Sequence, residues 1–332
     1  MTIKILVSGA GGDVGQGVLK ALVSSQLDIQ LYTTCINPHS SWLHMGIISF
    51  VAPPSANEDY VTYLIRLIHR FGIQVFFPTV DSEIPKIARE KARIEMETGA
   101  LVFVDDLFKV SICDDKFNTA EFLRHNNFAY PKSAIADGQS ARDLAVHLGY
   151  PLIVKNRSGK GNHNVYQVND ATELEQRFGT ADFVVQEWLD PVCGEYTSGL
   201  YLGDDGEIKG ICTFRRKLKY GSTFIAERII DPILEKPLED IARKLGMKYL
   251  NIQSMRRGSE LVPFEFNGRL SGTTAMVSKV FNAPEMFIRE RLLRENLARV
   301  DNSYVFVAMR YYEEVYATPD QIDNLMVRSS EI

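Results

Sequence analysis

Asn251-Ile252-Gln253, the turn Arg257-Gly258-Ser259, and then Pro263-Phe264-Glu265-Phe266-Asn267-Gly268-Arg269 form the stretch on which this chain's fold is decided. A glycine-centred turn between two β-rich runs marks a hairpin. Side chains alternate across a strand, so Glu265 and Asn267 share one face while Phe264 and Phe266 are expected in a core. An antiparallel partner brings Gln253 alongside that face, and Arg269 continues the alternation two residues on. Oxygen donors converging without histidine or cysteine suit magnesium or manganese bridging phosphates, and an adjacent arginine can neutralise charge on a transferring phosphoryl group. A solvated sheet face is the plainer reading of the same spacing.

Upstream, Lys155 ends the apolar run Pro151-Leu152-Ile153-Val154, and the small-residue loop Ser158-Gly159-Lys160-Gly161-Asn162 follows. A lysine beside such a loop suits polyphosphate, which takes point charge and backbone donors together. Gln186-Glu187-Trp188-Leu189 closes another strand, and Glu195-Tyr196 follows the turn at 190–194. Taken alone, these carboxylates are as readily surface residues as ligands. From Tyr196 the chain turns antiparallel, with hairpin signals at 203–207 and 257–260.

The first part has another rhythm. The apolar run Ile3 to Ser8 reads as a strand buried on both faces, followed by the glycine-rich turn Gly9 to Gly17 and a helix from Val14 to Ser24. Strands near 30–36, 75–78 and 101–104 alternate with helices over Tyr60–Phe71 and Glu83–Thr98, the pattern of a parallel sheet with helices on both faces. The sheet closes near residue 110. Nicotinamide binding would need an acidic residue at the end of the second strand, and Thr33-Thr34-Cys35-Ile36-Asn37 has none. The glycines are instead expected to pack the turn on its own sheet or to touch a small substrate. Helices over 115–126, 140–148 and 171–178 and strands near 165–168 and 183–186 complete the middle of the chain.

The 332 residues carry 45% hydrophobic and 24% charged side chains, which excludes a largely disordered chain. A net charge of −5 without a basic stripe gives no sign of nucleic-acid binding. Cys35, Cys113, Cys193 and Cys212 lack CxxC spacing, arguing against a disulfide framework or a structural zinc. No apolar stretch is long enough to span a bilayer and no signal-peptide layout is present, so a soluble cytoplasmic protein without membrane partners is expected.

Together these segments resemble the ATP-grasp superfamily, and most closely a synthetase half of the carbamoyl phosphate synthetase large subunit. The resemblance covers about residues 110–295, with a matching pre-ATP-grasp domain in front. Its most specific part runs from Asn251-Ile252-Gln253 through Phe264 to Lys279, with Ala283-Pro284 beyond. Pro78-Thr79-Val80-Asp81-Ser82-Glu83 is similar to the pre-ATP-grasp domains of carboxylate–amine ligases. The fold implied is α/β, α+β in its second half. A Rossmann-like pre-ATP-grasp domain over 1–110 precedes a two-lobed ATP-grasp domain with a small lobe over 111–190 and a C-terminal lobe over 191–332.

The resemblance also implies roles. Lys116 and Lys155 are the cations on the ATP phosphates, and Ser158, Gly159, Gly161 and Asn162 belong to the loop that closes over them. Glu187, Trp188 and Leu189 resemble the adenine-contacting hinge, and Glu195 the carboxylate on the ribose. Gln253, Glu265 and Asn267 match ligands for magnesium or manganese, and Arg269 the arginine facing the reaction centre, with Lys155 its catalytic companion. Gly11, Gly12, Asp81, Glu83, Arg269 and the segment Arg215-Arg216-Lys217 with Gly221-Ser222-Thr223 are candidate substrate contacts, with plain alternatives in helix capping for Glu83 and a solvated strand edge for Arg215 to Lys217.

One departure stands out, since the family's second arginine, three residues after the first, is Gly272 here. That and the chain's length turn the reading from bicarbonate or carbamate toward a small stand-alone ligase. The activity implied is an ATP-dependent carboxylate–amine (or carboxylate–thiol) ligase working on small metabolites through an acyl phosphate. A kinase that stops at a phosphorylated product and a nucleotide-binding regulator without turnover are the alternatives. Many relatives are dimers, which leaves a homodimer open.

Overall fold

The computed structural model describes residues 2–159, 164–178 and 182–332. Five parallel strands open the chain: β1 (Ile3–Val7), β2 (Ile29–Cys35), β3 (Ile48–Val51), β4 (Val75–Phe77) and β5 (Leu101–Val102), in the order β3-β2-β1-β4-β5. Ile5, Leu6 and Val7 are wholly buried, as expected for a central strand covered by helices on both sides. The covering helices are α1 (Asp13–Val23), α2 (Tyr60–Phe71) and α3 (Ile84–Thr98). In α2, Tyr60, Leu64, Leu67 and Ile68 form the buried stripe, and Gly72 ends the helix at φ 61°.

The glycines of the first turn answer to packing. A Cβ on Gly15 would lie 2.2 Å from the Gly9 carbonyl oxygen, and one on Gly17 would meet the Ser271 carbonyl at 3.4 Å. At position 15 only glycine lets α1 approach its own turn this closely, whereas at position 17 a Cβ would make an ordinary contact.

Helices α4 (Leu107–Asp114) and α5 (Lys116–His125) lead into a four-stranded antiparallel sheet of β6 (Ser133–Ile135), β7 (Leu152–Asn156), β8 (Val165–Val168) and β9 (Phe183–Glu187), ordered β6-β9-β7-β8. Helices α6 (Gln139–Leu148) and α7 (Ala171–Glu175) accompany it, with Ala141, Ala145 and Leu174 in a small core of their own. The third sheet is antiparallel and six-stranded: β10 (Glu195–Leu202), β11 (Ile208–Lys219), β12 (Ser222–Ile229), β13 (Tyr249–Arg257), β14 (Glu260–Asn267) and β15 (Val307–Met309). Its order is β14-β13-β10-β11-β12-β15, and β15 forms one edge. Helix α8 (Pro232–Leu245) packs on β10 and β11, and short helices α9 (Thr274–Val277) and α10 (Ala283–Phe287) pack against α1. The final helix, α11 (Pro319–Ser330), returns to β3.

The parallel first sheet and the antiparallel remainder agree with the expected fold class. Strand β3 and helices α4, α8 and α11 had no sequence-based assignment, and α7 ends at Glu175 instead of Phe178. Among the described residues, no helix is long and apolar enough to cross a membrane.

Candidate active site

A cleft of about 1370 Å³ runs between the carboxyl ends of the parallel strands and the two antiparallel sheets. Single-ligand pockets measure roughly 300–1,000 Å³, so the cleft has room for a nucleotide and a second molecule. The hairpin β13–β14 forms its floor. Gln253 pairs directly with Glu265, and Asn251 with Asn267. The register slips between Gln253 and Ser254, leaving Phe264 as the extra residue of a bulge. Here the structure corrects the expected alternation: Phe266 is buried in the core, whereas Phe264 is half-buried and lines the cleft. The bulge turns its ring out of the core, and the Lys155 Nζ sits 5.1 Å from its centroid.

Lys155, carried on β7, is buried and lines the cleft, with no hydrogen-bond or ion-pair partner among the described residues. Burial pushes its pKa from 10.5 down to about 8; Glu265 and Glu195 oppose that shift and Lys116 adds to it. A buried ammonium facing a cleft of this size is poised for an anion. Lys116 opens α5, whose cap is Asp115, and its Nζ donates to the Gly159 carbonyl at 2.9 Å. Ser158 and Gly159 are exposed; Ser158 lies outside the cleft lining, and Gly159 lines a recess of about 40 Å³ beneath it. Gly161 and Asn162 lie outside the described residues.

Glu187, Trp188 and Leu189 line the cleft at the end of β9. The Glu187 carboxylate accepts from the Lys132 backbone N–H at 3.2 Å and from Arg257 Nη1 at 3.0 Å, so it ties β6 and β13 to the same corner. Gln186, buried beside it, donates to Ser133 Oγ at 2.8 Å. Glu195 lies opposite Arg216 in the β10–β11 register, and the two form an ion pair. Arg216 also donates to Gln253 Oε1 at 2.8 Å. One guanidinium thus joins the expected ribose carboxylate to an expected metal ligand, which sequence reasoning missed. Strand parity explains it: Arg216 and Leu218 line the cleft, while Lys217 is exposed outside the lining and has no place as a substrate contact.

Arg269 is 4% exposed, with Nε on Asp81 Oδ1 at 2.6 Å and Nη2 on Asn267 Oδ1 at 3.0 Å. Gly12 and Asp81 line the cleft. Gly11 does not; it faces Ser40, whose Oγ would lie 2.5 Å from a Cβ there. Glu83 is wholly buried and accepts from Ser8, Tyr60 and the backbone N–H groups of Thr79 and Val80, at 2.7 and 2.9 Å for the last two. Burial pushes its carboxyl up, against those hydrogen bonds. With its lone pairs engaged, Glu83 shapes the loop that carries Asp81.

No group of three or more His, Cys, Asp or Glu side chains suited to a metal occurs among the described residues. The available donors are the Glu265 carboxylate and the amide oxygens of Gln253 and Asn267, a hard oxygen set that suits magnesium when phosphates supply further ligands.

Known proteins resemble parts of this chain. Residues 113–226 match the ATP-grasp domain family. This stretch is an ATP-grasp domain. The carbamoyl phosphate synthase large chain of Campylobacter jejuni is 23% identical over 321 residues, covering 87% of this chain and 28% of its own. The present chain therefore spans less than a third of that relative. The coenzyme gamma-F420-2:alpha-L-glutamate ligase of Methanococcus maripaludis is 28% identical over 162 residues, 45% of this chain and 55% of that protein. Among solved structures, the ADP complex of N5-carboxyaminoimidazole ribonucleotide synthetase superposes with a TM-score of 0.70 at 13% identity, covering 92% of this chain and 80% of that one. A MgADP- and bicarbonate-bound biotin carboxylase domain dimer from Hydrogenobacter thermophilus gives 0.67 at 14% identity, covering 87% and 69%. The similarity to both solved structures extends beyond the ATP-grasp domain to the parallel sheet in front of it, so the chain has their overall fold.

Proposed function

We propose that this protein is an ATP-dependent ligase that activates a small carboxylic acid as its acyl phosphate and joins it to an amine. The observation that carries this reading is Lys155: a buried ammonium with no partner among the described residues, aimed into a cleft whose facing strands bear Gln253, Glu265 and Asn267. In this reading residues 1–110, 111–190 and 191–332 are the pre-ATP-grasp domain and the two lobes. The adenine lies against Glu187, Trp188 and Leu189. The ribose lies toward Glu195, and Arg216 gives up that carboxylate as the nucleotide enters. Lys116 and Lys155 hold the phosphates.

Gln253, Glu265 and Asn267 would hold magnesium, which supplies charge neutralisation on the phosphates. A carboxylate oxygen of the acid attacks the γ-phosphorus and ADP departs. The amine nitrogen then attacks the acyl carbon, inorganic phosphate leaves, and the amine gives up a proton. Arg269, oriented by Asp81 and Asn267, stabilises negative charge during the transfer. Such chemistry draws on the ATP of the cytoplasm.

The test is phosphate release from magnesium-ATP with pooled carboxylic acids, with and without pooled amines. Release that requires both pools supports the ligase. ADP formed with a stable phosphorylated acid and no free phosphate would make the protein a kinase, and failure to bind ADP would overturn the nucleotide reading altogether.

A further inference from the structure

On the lining of the same cleft, three separate parts of the chain meet on one carboxylate. Asp13, the first residue of α1, accepts from Ser222 at the start of β12 and from Arg310, just beyond β15, at 3.0 Å. Arg310 is fixed twice more: its Nη2 donates to the Gly272 carbonyl, and its backbone N–H donates to Phe224 at 3.0 Å. Asp13, Ser222, Gly272 and Arg310 all line the cleft. Gly272 is where a side chain is missing, and a Cβ placed there would stand 3.3 Å from Asp13 Cβ and 3.7 Å from Arg310 Nη2. The Arg310 guanidinium lies beside residue 272.

Two arginines of the cleft differ in what they can still bind. Arg269 is almost fully buried and has all three guanidinium nitrogens engaged, by Asp81, the Leu270 carbonyl and Asn267. Arg310 is 27% exposed and uses two of a guanidinium's five N–H donors among the described residues. It is held in place yet keeps donors to offer, the condition for reading a carboxylate with little loss of side-chain freedom. Beside it, Asp13 Oδ1 has no partner among the described residues and is a ready acceptor.

We infer that Arg310 binds the carboxylate of the acid substrate and that Asp13 accepts a hydrogen bond from a donor next to that carboxylate, so that the acid is a 2-hydroxy or 2-amino acid. The inference rests on the ligase reading, since it names the acid that the ligase activates. It makes a residue just after the C-terminal edge strand, some 40 positions beyond Arg269, the specificity element of the cleft.

The experiment uses the full chain, magnesium-ATP, an amine pool, and a panel of 2-hydroxy and 2-amino acids, each beside its unsubstituted parent acid. ADP affinity is measured in parallel on every variant. A panel acid should drive phosphate release with a KM about tenfold or more below that of its parent acid. R310Q should raise that KM about tenfold or more, and R310K should recover part of it, while the ADP Kd stays within about twofold. D13N should bring the substituted acid and its parent to within about threefold of each other.

An unchanged KM in R310Q, or a preference that survives D13N, would overturn the assignment. So would loss of ADP binding in R310Q with no recovery of the acid KM in R310K, which would make Arg310 a structural clasp. ADP binding with no response to any panel acid would show the acid class to be wrong while leaving the nucleotide reading in place. Absence of ADP binding in the unaltered protein would bring down both.

Discussion

The floor of the cleft and its rim are built differently. On the floor, Gln253, Glu265 and Asn267 hang from paired strands whose register places them side by side. On the rim, Asp81 and Asp13 come from a loop and a helix start at the ends of the parallel sheet, and partners far along the chain hold them. The floor is rigid because each side chain is fixed by a backbone ladder. The rim residues are fixed by side-chain contacts, the kind of position at which variation among substrates is accommodated. In the function proposed above, nucleotide chemistry belongs to the floor and substrate choice to the rim.

Glu265→Ala breaks the floor most directly. Turnover should fall by about a thousandfold or more while thermal melting stays near that of the unaltered protein, because the carboxylate supports charge and little packing. Normal turnover at saturating magnesium would remove Glu265 from the phosphate end. Lys155→Met comes next, with an expected loss of roughly 10–100-fold in ADP affinity by calorimetry.

The pH dependence has a definite sign. The Lys155 pKa is depressed to about 8, so its buried charge costs stability below that pH, and the cost fades as pH rises through 8 toward 10.5. The nucleotide-free protein should gain stability over that window. ADP should bind less tightly over the same window, and Lys155→Met should abolish both trends.

The rim is tested through Glu83, which gathers four donors around the loop bearing Asp81. Glu83→Ala takes the acceptor from the Val80 N–H and from the buried Tyr60 hydroxyl and should cost about 2–4 kcal/mol in denaturant unfolding. ADP affinity should change little, since the floor is untouched. The smallest effect is expected from Lys217→Ala, within about twofold on every kinetic constant, because its side chain faces away from the cleft.

Which residues the sequence revealed follows the same division. The hairpin β13–β14 announces its face through period-two alternation and a glycine turn, so Gln253, Glu265 and Asn267 were legible before any coordinates. Phe264 was misassigned because a bulge shifts parity by one residue, and nothing in the sequence marks it. The link that Arg216 makes between Glu195 and Gln253 escaped notice because it depends on the cross-strand register, a relation between segments about 20 residues apart. Helix α8 was obscured by Pro232 and Pro237: the first sits harmlessly in the opening turn behind the Asp231 cap, while the second breaks the expected pattern inside the helix. Arg310 lies just beyond an edge strand of three residues, too short to show a periodicity.

The most direct measurement follows oxygen. With acids labelled with oxygen-18 in their carboxylates, magnesium-ATP and the amine pool, the expected result is inorganic phosphate carrying one labelled oxygen for each amide formed. Amide formed with unlabelled phosphate would contradict an acyl phosphate and, with it, the assignment of this cleft as a carboxylate-activating ligase site.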